Sequence, residues 1–518
     1  MSYTISRRHV LAGGLSVFAA ATLGLPHPAL AAASKDRIVV RLEDDLSNLD
    51  PANRTGPIDL NVIWSVQQGL VSFKPGTTEW ELDAAEEITQ VSDTEITFKL
   101  RPGLKFTGGY GDLTAEDVKF SFERFIKPDA AGKKVLYAKD WAPLDKVEVT
   151  GPLTGRILLK NPAPGLWTIA LADGSGRIIS KKAFEAIGDK IATTLIGSGP
   201  YILKEWKPRE QFTLALNPDY AGPVKPTFKE IVGKPIPEQK TAEIAFQSGE
   251  IDFTMIQPES AKELSAVPDS AVIQIPAIDY VWFGPNMAKK PFDDIRVRQA
   301  IRLAVDVDAI LQGAYSGLYP RANALLAESL LGYWKDAPVY QRDVDAAKKL
   351  LADAGLADGF KTKLTIQSTA RFQAIAAVIQ ANLADVGIEV EIEALETAAF
   401  WALGKGDTSK DLELSLVKFS GKFDPGFQTQ WFTTAQIGLY NWQRFSSKDY
   451  DELDALGAKT VDPAKRAEIY IKAQKLMDES AAFIWITHNL NAFATRGWLK
   501  PGILPNGNNW LYPAFTQA

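Results

Sequence analysis

Strand-like and helix-like patterns alternate along almost the whole chain, and this alternation most constrains how it folds. Residues 94–100 (TEITFKL) alternate between apolar and polar, which is typical of a β-strand. The apolar spacing of residues 346–354 predicts a helix that ends at Gly355. Asp462 and Pro463 are typical of another helix start. The mixture predicts an α/β protein, and the absence of a repeat or a low-complexity linker favours domains joined by more than one crossing of the chain.

The composition limits the number of domains and the kinds of partner. A chain of 518 residues is too long for one hydrophobic core and long enough for two or three domains. With 23% charged residues and a net charge of −6, nothing favours binding to nucleic acid or to an anionic membrane. Because there is no cysteine, disulfides, thiolate catalysis, Fe–S clusters and a lipid-anchored N-terminus are excluded.

The first 31 residues have the pattern of an export signal. Arg7 and Arg8 precede an apolar run of small residues, 12–25, and Ala-Leu-Ala at 29–31 is a typical cleavage pattern. Paired arginines are typical of twin-arginine signals. The alternative is a transmembrane helix, which needs roughly 20 apolar residues, whereas Gly and Pro interrupt this shorter run. We predict that residues 1–31 are a cleaved twin-arginine signal, so that the mature protein is soluble, periplasmic and not lipid-anchored.

Motifs for nucleophilic or metal-dependent catalysis are missing. There is no G-x-S-x-G and no H-E-x-x-H, and the stretch 103–108 is followed by Gly109 where a P-loop needs Lys. The histidines are His9, His27 and His488, and the first two fall in the export signal, so a His-rich metal site is excluded. A structural role for His488 is favoured over a catalytic one. A hydrolase with two carboxylates stays open, because Asp and Glu are numerous.

In the stretch 416–427, LVKFSGKFDPGF, an apolar run ends at Phe419, and the loop after it presents one cation, Lys422, and one anion, Asp424, among aromatic rings. Gly, Asp and Pro are ordinary turn residues, so a surface turn is one interpretation. The other interpretation is the rim of a binding cleft, with Lys422 or Asp424 facing a ligand. The local pattern leaves both open.

Several segments, in order along the chain, together resemble one protein family. No single segment is decisive, and 291–301 is the most specific. The segments are LDAAE (82–86), TFKLRPGLKF (97–106), LTAEDV (113–118), GSGPY (197–201), NPDY (217–220), SGEID (248–252), PFDDIRVRQAI (291–301) and LLADAG (350–355). The chain thus resembles the extracytoplasmic solute-binding proteins of family 5, which serve ABC importers for peptides, nickel and opines.

The resemblance implies an α/β fold of two lobes with a ligand cleft between them, the type II periplasmic-binding-protein fold of the large peptide-binding class. An extra subdomain belongs to the first lobe. The implied ranges are 36–75, 196–284 and 488–518 for lobe 1, 76–195 for its subdomain and 285–487 for lobe 2. The chain then crosses between the lobes twice, near 281–286 and near 486–489. Two crossings form a hinge, which allows closure around a solute.

The resemblance also implies a function without catalysis. The protein would capture a peptide-like or amino-acid-derived solute and deliver it to the permease subunits of an ABC importer. Closure buries the solute, so its charges need fixed partners. A sensor subunit that presents the solute to a receptor, and a secreted carboxylate-pair hydrolase, remain as alternatives. No cofactor, metal site or nucleic-acid partner is implied, and we expect a monomer. The shortage of His disfavours nickel, although a chelated metal held through its chelator stays open as a solute.

The resemblance also implies which residues bind the ligand. In dipeptide-binding members, an acidic residue follows the segment matching 419–421 and holds the free amino group of the peptide. Lys422 stands at or next to that place here, with Asp424 as the alternative. If Lys422 faces the cleft, it favours an anionic, opine-type solute. That the Lys422 side chain points to solvent instead is an equal alternative. Arg371 is expected to bind a solute carboxylate, because its planar fork suits bidentate contact. The other expected residues are Ser420, Gly421, Tyr280, Trp282, Phe283, Trp401, Trp431, Asn441 and Arg444. Core packing is an equal alternative for each aromatic.

Overall fold

Two large β-sheets and a smaller one organise the part of the chain that the computed structural model describes, residues 36–128, 132 and 134–518. The predicted export signal, residues 1–31, lies outside the described residues. Within the described part, no helix is both long and apolar enough to cross a membrane. Helices and strands alternate along it, which confirms the predicted α/β class.

The elements are numbered in chain order. The strands are β1 Arg37–Leu42, β2 Val71–Phe73, β3 Trp80–Leu82, β4 Ala85–Ser92, β5 Glu95–Leu100, β6 Lys105–Phe106, β7 Gly111–Asp112, β8 Leu144–Gly151, β9 Thr154–Leu159, β10 Tyr201–Lys207, β11 Gln211–Leu216, β12 Glu230–Pro235, β13 Phe253–Ile256, β14 Ser270–Pro276, β15 Tyr280–Pro285, β16 Phe360–Gln367, β17 Ile388–Leu395, β18 Leu414–Phe419, β19 Ile484–Thr487, β20 Leu490–Arg496, β21 Leu499–Lys500 and β22 Thr516–Gln517. The α-helices are α1 Pro57–Val66, α2 Ala115–Glu123, α3 Lys181–Ile187, α4 Gln239–Gln247, α5 Ala261–Ser265, α6 Ile295–Ala304, α7 Val307–Tyr315, α8 Val344–Asp353, α9 Ala370–Ala384, α10 Thr397–Leu403, α11 Pro425–Thr429, α12 Lys448–Gly457 and α13 Pro463–Glu479.

The seven-stranded sheet has the order β10-β11-β12-β1-β13-β20-β14. Its strands come from the beginning, the middle and the end of the described chain, so this part of the molecule is discontinuous in sequence. β1 is parallel to β12 and β13, while β20 is antiparallel to β13 and β14. Ile38 and Val40 of β1 are fully buried and share a core with Phe253 of β13.

The five-stranded sheet has the order β17-β16-β18-β15-β19. β15 lies between β18 and β19 and is antiparallel to both, and every residue of it is buried. Successive side chains of a strand point to opposite faces. Tyr280 and Trp282 accordingly belong to one hydrophobic core, and Val281 and Phe283 belong to another.

A four-stranded sheet, β4-β5-β9-β8, forms the smaller unit together with α2. The predicted alternating segment is β5, in which Ile96, Phe98 and Leu100 are buried as expected. α2 begins after Thr114, whose side chain and that of Asp117 form a capping box.

Two short connections join the two large sheets. Residues 277–279 lead from β14 to β15, and His488 and Asn489 lead from β19 to β20. The predicted lobe boundary at residue 284 falls inside β15, whose partners all belong to the five-stranded sheet. We therefore place the first crossing at 277–279, slightly earlier than predicted. The other predicted domain limits remain predictions.

Candidate functional site

The stretch 416–427 forms the end of β18, a loop and the start of α11. β18 ends at Phe419, and Ser420 and Gly421 follow it in the loop. Asp424 caps α11, because its side chain accepts a hydrogen bond from the backbone N–H of Gly426 at 2.8 Å. The loop therefore presents Lys422 between a strand end and a helix start.

A cavity of about 260 Å³ lies against this loop. Its walls come from residues near α1, from the segment between β7 and α3, from the loop after β18 and from the C-terminal part of the chain. The polar lining residues include Arg54, Tyr137, Asp173, Ser420, Lys422, Asn506 and Asn508, and the aromatic ones are Tyr137 together with Trp64, Phe73 and Phe423. Gly421 also lines it, so three of the residues predicted from sequence meet here.

Lys422 lines the cavity and contacts acceptors from a distant part of the chain. Its Nζ donates to Asp140 Oδ2 at 2.6 Å, to Asp173 Oδ2 at 2.7 Å and to the backbone carbonyl of Ile169 at 2.8 Å. Only 16% of its side chain is exposed, so solvent screening is limited. Lys422 thus faces the cavity, and its positive charge is already compensated.

Arg54 supplies a second cation to the same group. Its Nη2 donates to Asp173 Oδ2 at 2.9 Å, and its guanidinium lies 4.0 Å from the ring centroid of Tyr137. Its Nε is buried and has no acceptor among the described residues. The two cations and the carboxylates of Asp140 and Asp173 together carry no net charge.

The two carboxyls have different pKa values. Burial acts to raise the pKa of both, because it disfavours the charged form. At Asp173, Lys422 and Arg54 outweigh burial and lower the pKa below its ordinary value. At Asp140, burial dominates and the pKa is raised. Burial also acts to lower the pKa of Lys422, but Asp173 and Asp140 outweigh it and the pKa is raised, so the ammonium stays charged.

Asp424, the alternative to Lys422 as a ligand-binding residue, forms an ion pair with Arg466. Arg466 of α13 donates Nη1 to Asp424 Oδ2 at 2.8 Å and Nη2 to Oδ1 at 2.9 Å. Both side chains are almost fully buried. Asp424 therefore joins α11 to α13 and does not line the cavity.

Arg371 lies in the first turn of α9, outside the lining of this cavity. Its Nη1 donates to the carbonyl of Ala314 at 3.0 Å, and its Nη2 contacts Gln257 and Glu259 at 3.3 Å each. Because α9 packs on the five-stranded sheet and Glu259 follows β13 of the seven-stranded sheet, Arg371 bridges the two. Binding of a solute carboxylate by Arg371 remains a prediction.

The predicted aromatic residues divide into core and partly exposed groups. Tyr280, Trp282 and Phe283 are fully buried, and the first two pack with Phe419, Phe432 and Trp485. Their surroundings are those of core residues. Trp401 stacks on Phe419, and Trp431 packs edge-to-face on Tyr440. Both tryptophans keep some exposed surface near the loop after β18, so they remain proposed ligand contacts.

Asn441 and Arg444 stabilise the loop between α11 and α12. The Asn441 side chain is buried and donates to the carbonyls of Phe432, Thr433 and Phe445. Arg444 has a left-handed backbone, φ 49°, and donates to Ser409 Oγ at 3.0 Å. Their contacts are within the protein.

Sequence reasoning missed Arg54, Tyr137, Asp140 and Asp173. Asp173 precedes the stretch Gly174-Ser175-Gly176, which is too short for the G-x-S-x-G motif of a nucleophile elbow. Asp140 and Asp173 lie 282 and 249 residues before Lys422 in the sequence, so no local pattern pairs them.

A larger depression of about 810 Å³ lies along α2, and we do not place the site there. Some of its charged side chains pair with one another: Arg124 binds Asp50 at 2.8 Å, and Lys119 binds Glu123 at 2.8 Å. As far as the described residues go, none of the predicted ligand-binding residues lines it. We favour the smaller cavity as the candidate site because its walls come from both parts of the molecule that the connections 277–279 and 488–489 join.

Comparisons with known proteins agree on one kind of molecule. The family of bacterial extracellular solute-binding proteins, family 5 Middle, matches residues 79–438. The probable D,D-dipeptide-binding periplasmic protein DdpA of Escherichia coli K12 is 29% identical over 88% of this chain and 89% of its own length. The glutathione-binding protein GsiB of the same strain is also 29% identical, over 87% of this chain and 88% of its own.

A solved structure extends the likeness to the fold. The binding protein MoaA of A. tumefaciens R10, solved with mannopinic acid, is 26% identical and has a TM-score of 0.74. The match covers 93% of this chain and 100% of the MoaA chain. The two-lobed binding-protein fold predicted from sequence is therefore confirmed.

Proposed function

This chain belongs to the bacterial extracellular solute-binding proteins of family 5, and on that premise we propose that it is the solute-binding component of an ABC importer. It captures a peptide-like or amino-acid-derived solute in the periplasm, as a monomer, and delivers it to the permease subunits. The observation that carries this proposal is the cavity of about 260 Å³, whose walls bring Arg54, Asp173 and Lys422 together from separate parts of the chain.

Charge supports an opine-type solute with at least one carboxylate. In the described part of the chain, two cations, Arg54 and Lys422, and one carboxylate, Asp173, are the charged residues that line the cavity, whereas Asp140 lies outside its lining. The three N–H groups of Lys422 are already matched by three acceptors, whereas Arg54 makes one hydrogen bond among the described residues, from Nη2 to Asp173. Arg54 is therefore the better placed cation for a solute carboxylate. Dipeptides, glutathione and mannopinic acid, which the names of the relatives mention, all carry carboxylates.

Closure explains how such a solute would be held. The two connections, residues 277–279 and 488–489, form a hinge between the lobes. When the lobes close, water leaves the cavity, and a buried carboxylate then needs a fixed cation and hydrogen-bond donors. Arg54 and the amides of Asn506 and Asn508 are donors at this site.

A thermal-shift screen with purified mature protein tests the proposal. We expect one or more members of a panel of opines, peptides and sugar acids to raise the melting temperature, because a solute that binds only the folded state stabilises it. Calorimetry should then give one solute per chain, and mass spectrometry should recover the solute unchanged. A panel without any stabilising member would contradict the proposal, and turnover of the bound solute would support the carboxylate-pair hydrolase instead.

A further inference from the structure

The acceptors around Lys422 form a complete site for a primary ammonium group. An ammonium group has three N–H donors and no acceptor. Asp140 Oδ2, Asp173 Oδ2 and the carbonyl of Ile169 lie at 2.6, 2.7 and 2.8 Å from Nζ, so every donor is matched. Two of the three acceptors carry charge, which strengthens the contacts.

These acceptors belong to a different part of the molecule from the lysine. Asp140, Ile169 and Asp173 lie between β7 and α3, on the side of the four-stranded sheet, whereas Lys422 follows β18 of the five-stranded sheet. Asp173 is also fixed by Arg54, which donates to its Oδ2 at 2.9 Å. The ammonium that fills the site thus comes from another part of the chain, on a flexible four-carbon side chain, and one of its acceptors, Asp173, lines the cavity.

We propose that Asp140, Asp173 and the Ile169 carbonyl form a primary-ammonium site that Lys422 fills as an internal plug, so that the cleft selects against solutes with a free primary amine. The proposal rests on the proposed solute-binding function and narrows its substrate class. N-substituted amino acids, such as opines, lack the primary α-ammonium group, and those whose side chain carries no amine leave the plug in place. Unmodified peptides carry one at their N-terminus.

The physical reason for the selection is competition. A second ammonium beside Lys422 would meet a like charge in a site where little of the side chain is exposed. To enter the site, the solute ammonium would have to displace Lys422, and the displaced Lys422 ammonium would then be partly buried without acceptors. A solute carboxylate meets neither cost, because Arg54 is close by and Lys422 stays where it is.

Small amines test the site without any knowledge of the solute. Lys422→Ala removes the last three carbons and the nitrogen of the side chain, and n-propylammonium consists of the same atoms. We expect Lys422→Ala to melt below the wild type and about 50 mM n-propylammonium to raise its melting temperature by at least about 2 °C. Propan-1-ol lacks the charge and tetramethylammonium lacks the N–H donors, so neither should stabilise this variant.

The matched control is Lys418→Ala, on the same strand end. Lys418 pairs with Asp279 at 2.8 Å, but 42% of its side chain is exposed. We expect n-propylammonium to stabilise neither this variant nor the wild type. Equal stabilisation of all three proteins, or none of Lys422→Ala, would overturn the proposal. If Lys422→Ala does not fold alone, recovery of folded protein when n-propylammonium is present during refolding supports the proposal, and failure to recover overturns it.

Peptide binding gives the second measurement. Lys422→Ala should bind unmodified di- and tripeptides at least about tenfold more tightly than the wild type does, and N-acetylated versions of the same peptides should show no gain. Equal affinities of both proteins for unmodified peptides would overturn the selectivity. The amine rescue needs no solute, so its result stands whether or not the solute panel supports the proposed function, and the two proposals can fail separately.

Discussion

Asp424 and Arg466 form a buried bidentate ion pair, with N–O distances of 2.8 and 2.9 Å. The pair joins the loop after β18 to α13, and Arg466 also donates Nε to the carbonyl of Gly457 at 2.8 Å. Asp424 thus holds the loop after β18 in place, while Lys422 of the same loop faces the cavity.

Asp424→Asn should destabilise the protein. The substitution keeps the size of the side chain but leaves the Arg466 guanidinium buried without a charged partner, which costs about 3–5 kcal/mol. Urea unfolding measures the change in the free energy of unfolding. Asp385→Asn is the control, because Asp385 pairs with Arg342 at 2.6 Å but is 61% exposed, and its loss should cost less than about 1 kcal/mol. Equal losses in the two variants would contradict this role.

Local signals in the sequence were sufficient for most elements of the fold. The predicted cap and proline of the last helix are those of α13, where Asp462 accepts from the backbone of Lys465. The helix predicted at 346–354 is α8, which begins slightly earlier because Asp343 is its cap. Caps and alternation are encoded within a few neighbouring residues, so they can be read without the tertiary structure.

The site could be predicted only in part, because its contacts are not local. The loop after β18 has a recognisable turn composition, and Lys422 does line the cavity. Its partners, and the pair Arg54 with Asp173, are separated by more than a hundred residues in sequence. β15 shows the other limit: a strand buried on both faces is apolar throughout, so its sequence does not separate core rings such as Trp282 from ligand contacts.

Arg371→Ala tests the predicted binding of a solute carboxylate by Arg371 against a purely bridging role. If Arg371 only bridges the two sheets, its loss should change solute affinity by less than about fivefold, because its partners Glu259 and Gln257 are partly exposed and such pairs contribute about 0–1 kcal/mol. The variant should instead increase deuterium uptake around 257–260, where the bridge is lost. Calorimetry and hydrogen exchange measure the two effects. Arg296→Ala is the control, since Arg296 pairs locally with Asp294 on α6. A loss of affinity of about a hundredfold or more would show that Arg371 binds a solute carboxylate.

Replacing both Arg7 and Arg8 by Lys should block export. A twin-arginine signal depends on the arginine pair, whereas a general secretory signal needs only positive charge, which Lys keeps. Cell fractionation and immunoblotting should find the precursor in the cytoplasm, and mass spectrometry of the wild type should find a chain that begins after Ala31. Lys35→Arg, beyond the predicted cleavage point, is the control and should be exported normally. Unchanged export of the double variant would exclude the twin-arginine type.

His488 should make the protein less stable as the pH falls from about 6.5 to 4. Burial lowers its pKa to about 4, and its Nε2–H donates to the carbonyls of Ala324 and Leu325 at 3.0 and 3.1 Å. In this window the unfolded chain binds a proton that the folded chain does not. The free energy of unfolding therefore decreases as the pH falls from 6.5 to 4, by about 3 kcal/mol over the whole window. The contribution is fully present above pH 6.5.

His488→Gln tests this dependence, because the Gln amide can donate to the same carbonyls but does not titrate. Asp454 opposes His488: burial raises its pKa to about 6, so in the folded state it takes up a proton before the unfolded chain does, and its contribution to stability grows as the pH falls from 6 to 4. The measurement is therefore the difference between variant and wild type in urea unfolding at pH 7.5 and pH 4.5. We expect the wild type to lose about 2–3 kcal/mol more than His488→Gln between these values. Equal losses in the two proteins would show that His488 is not the group whose protonation is coupled to unfolding.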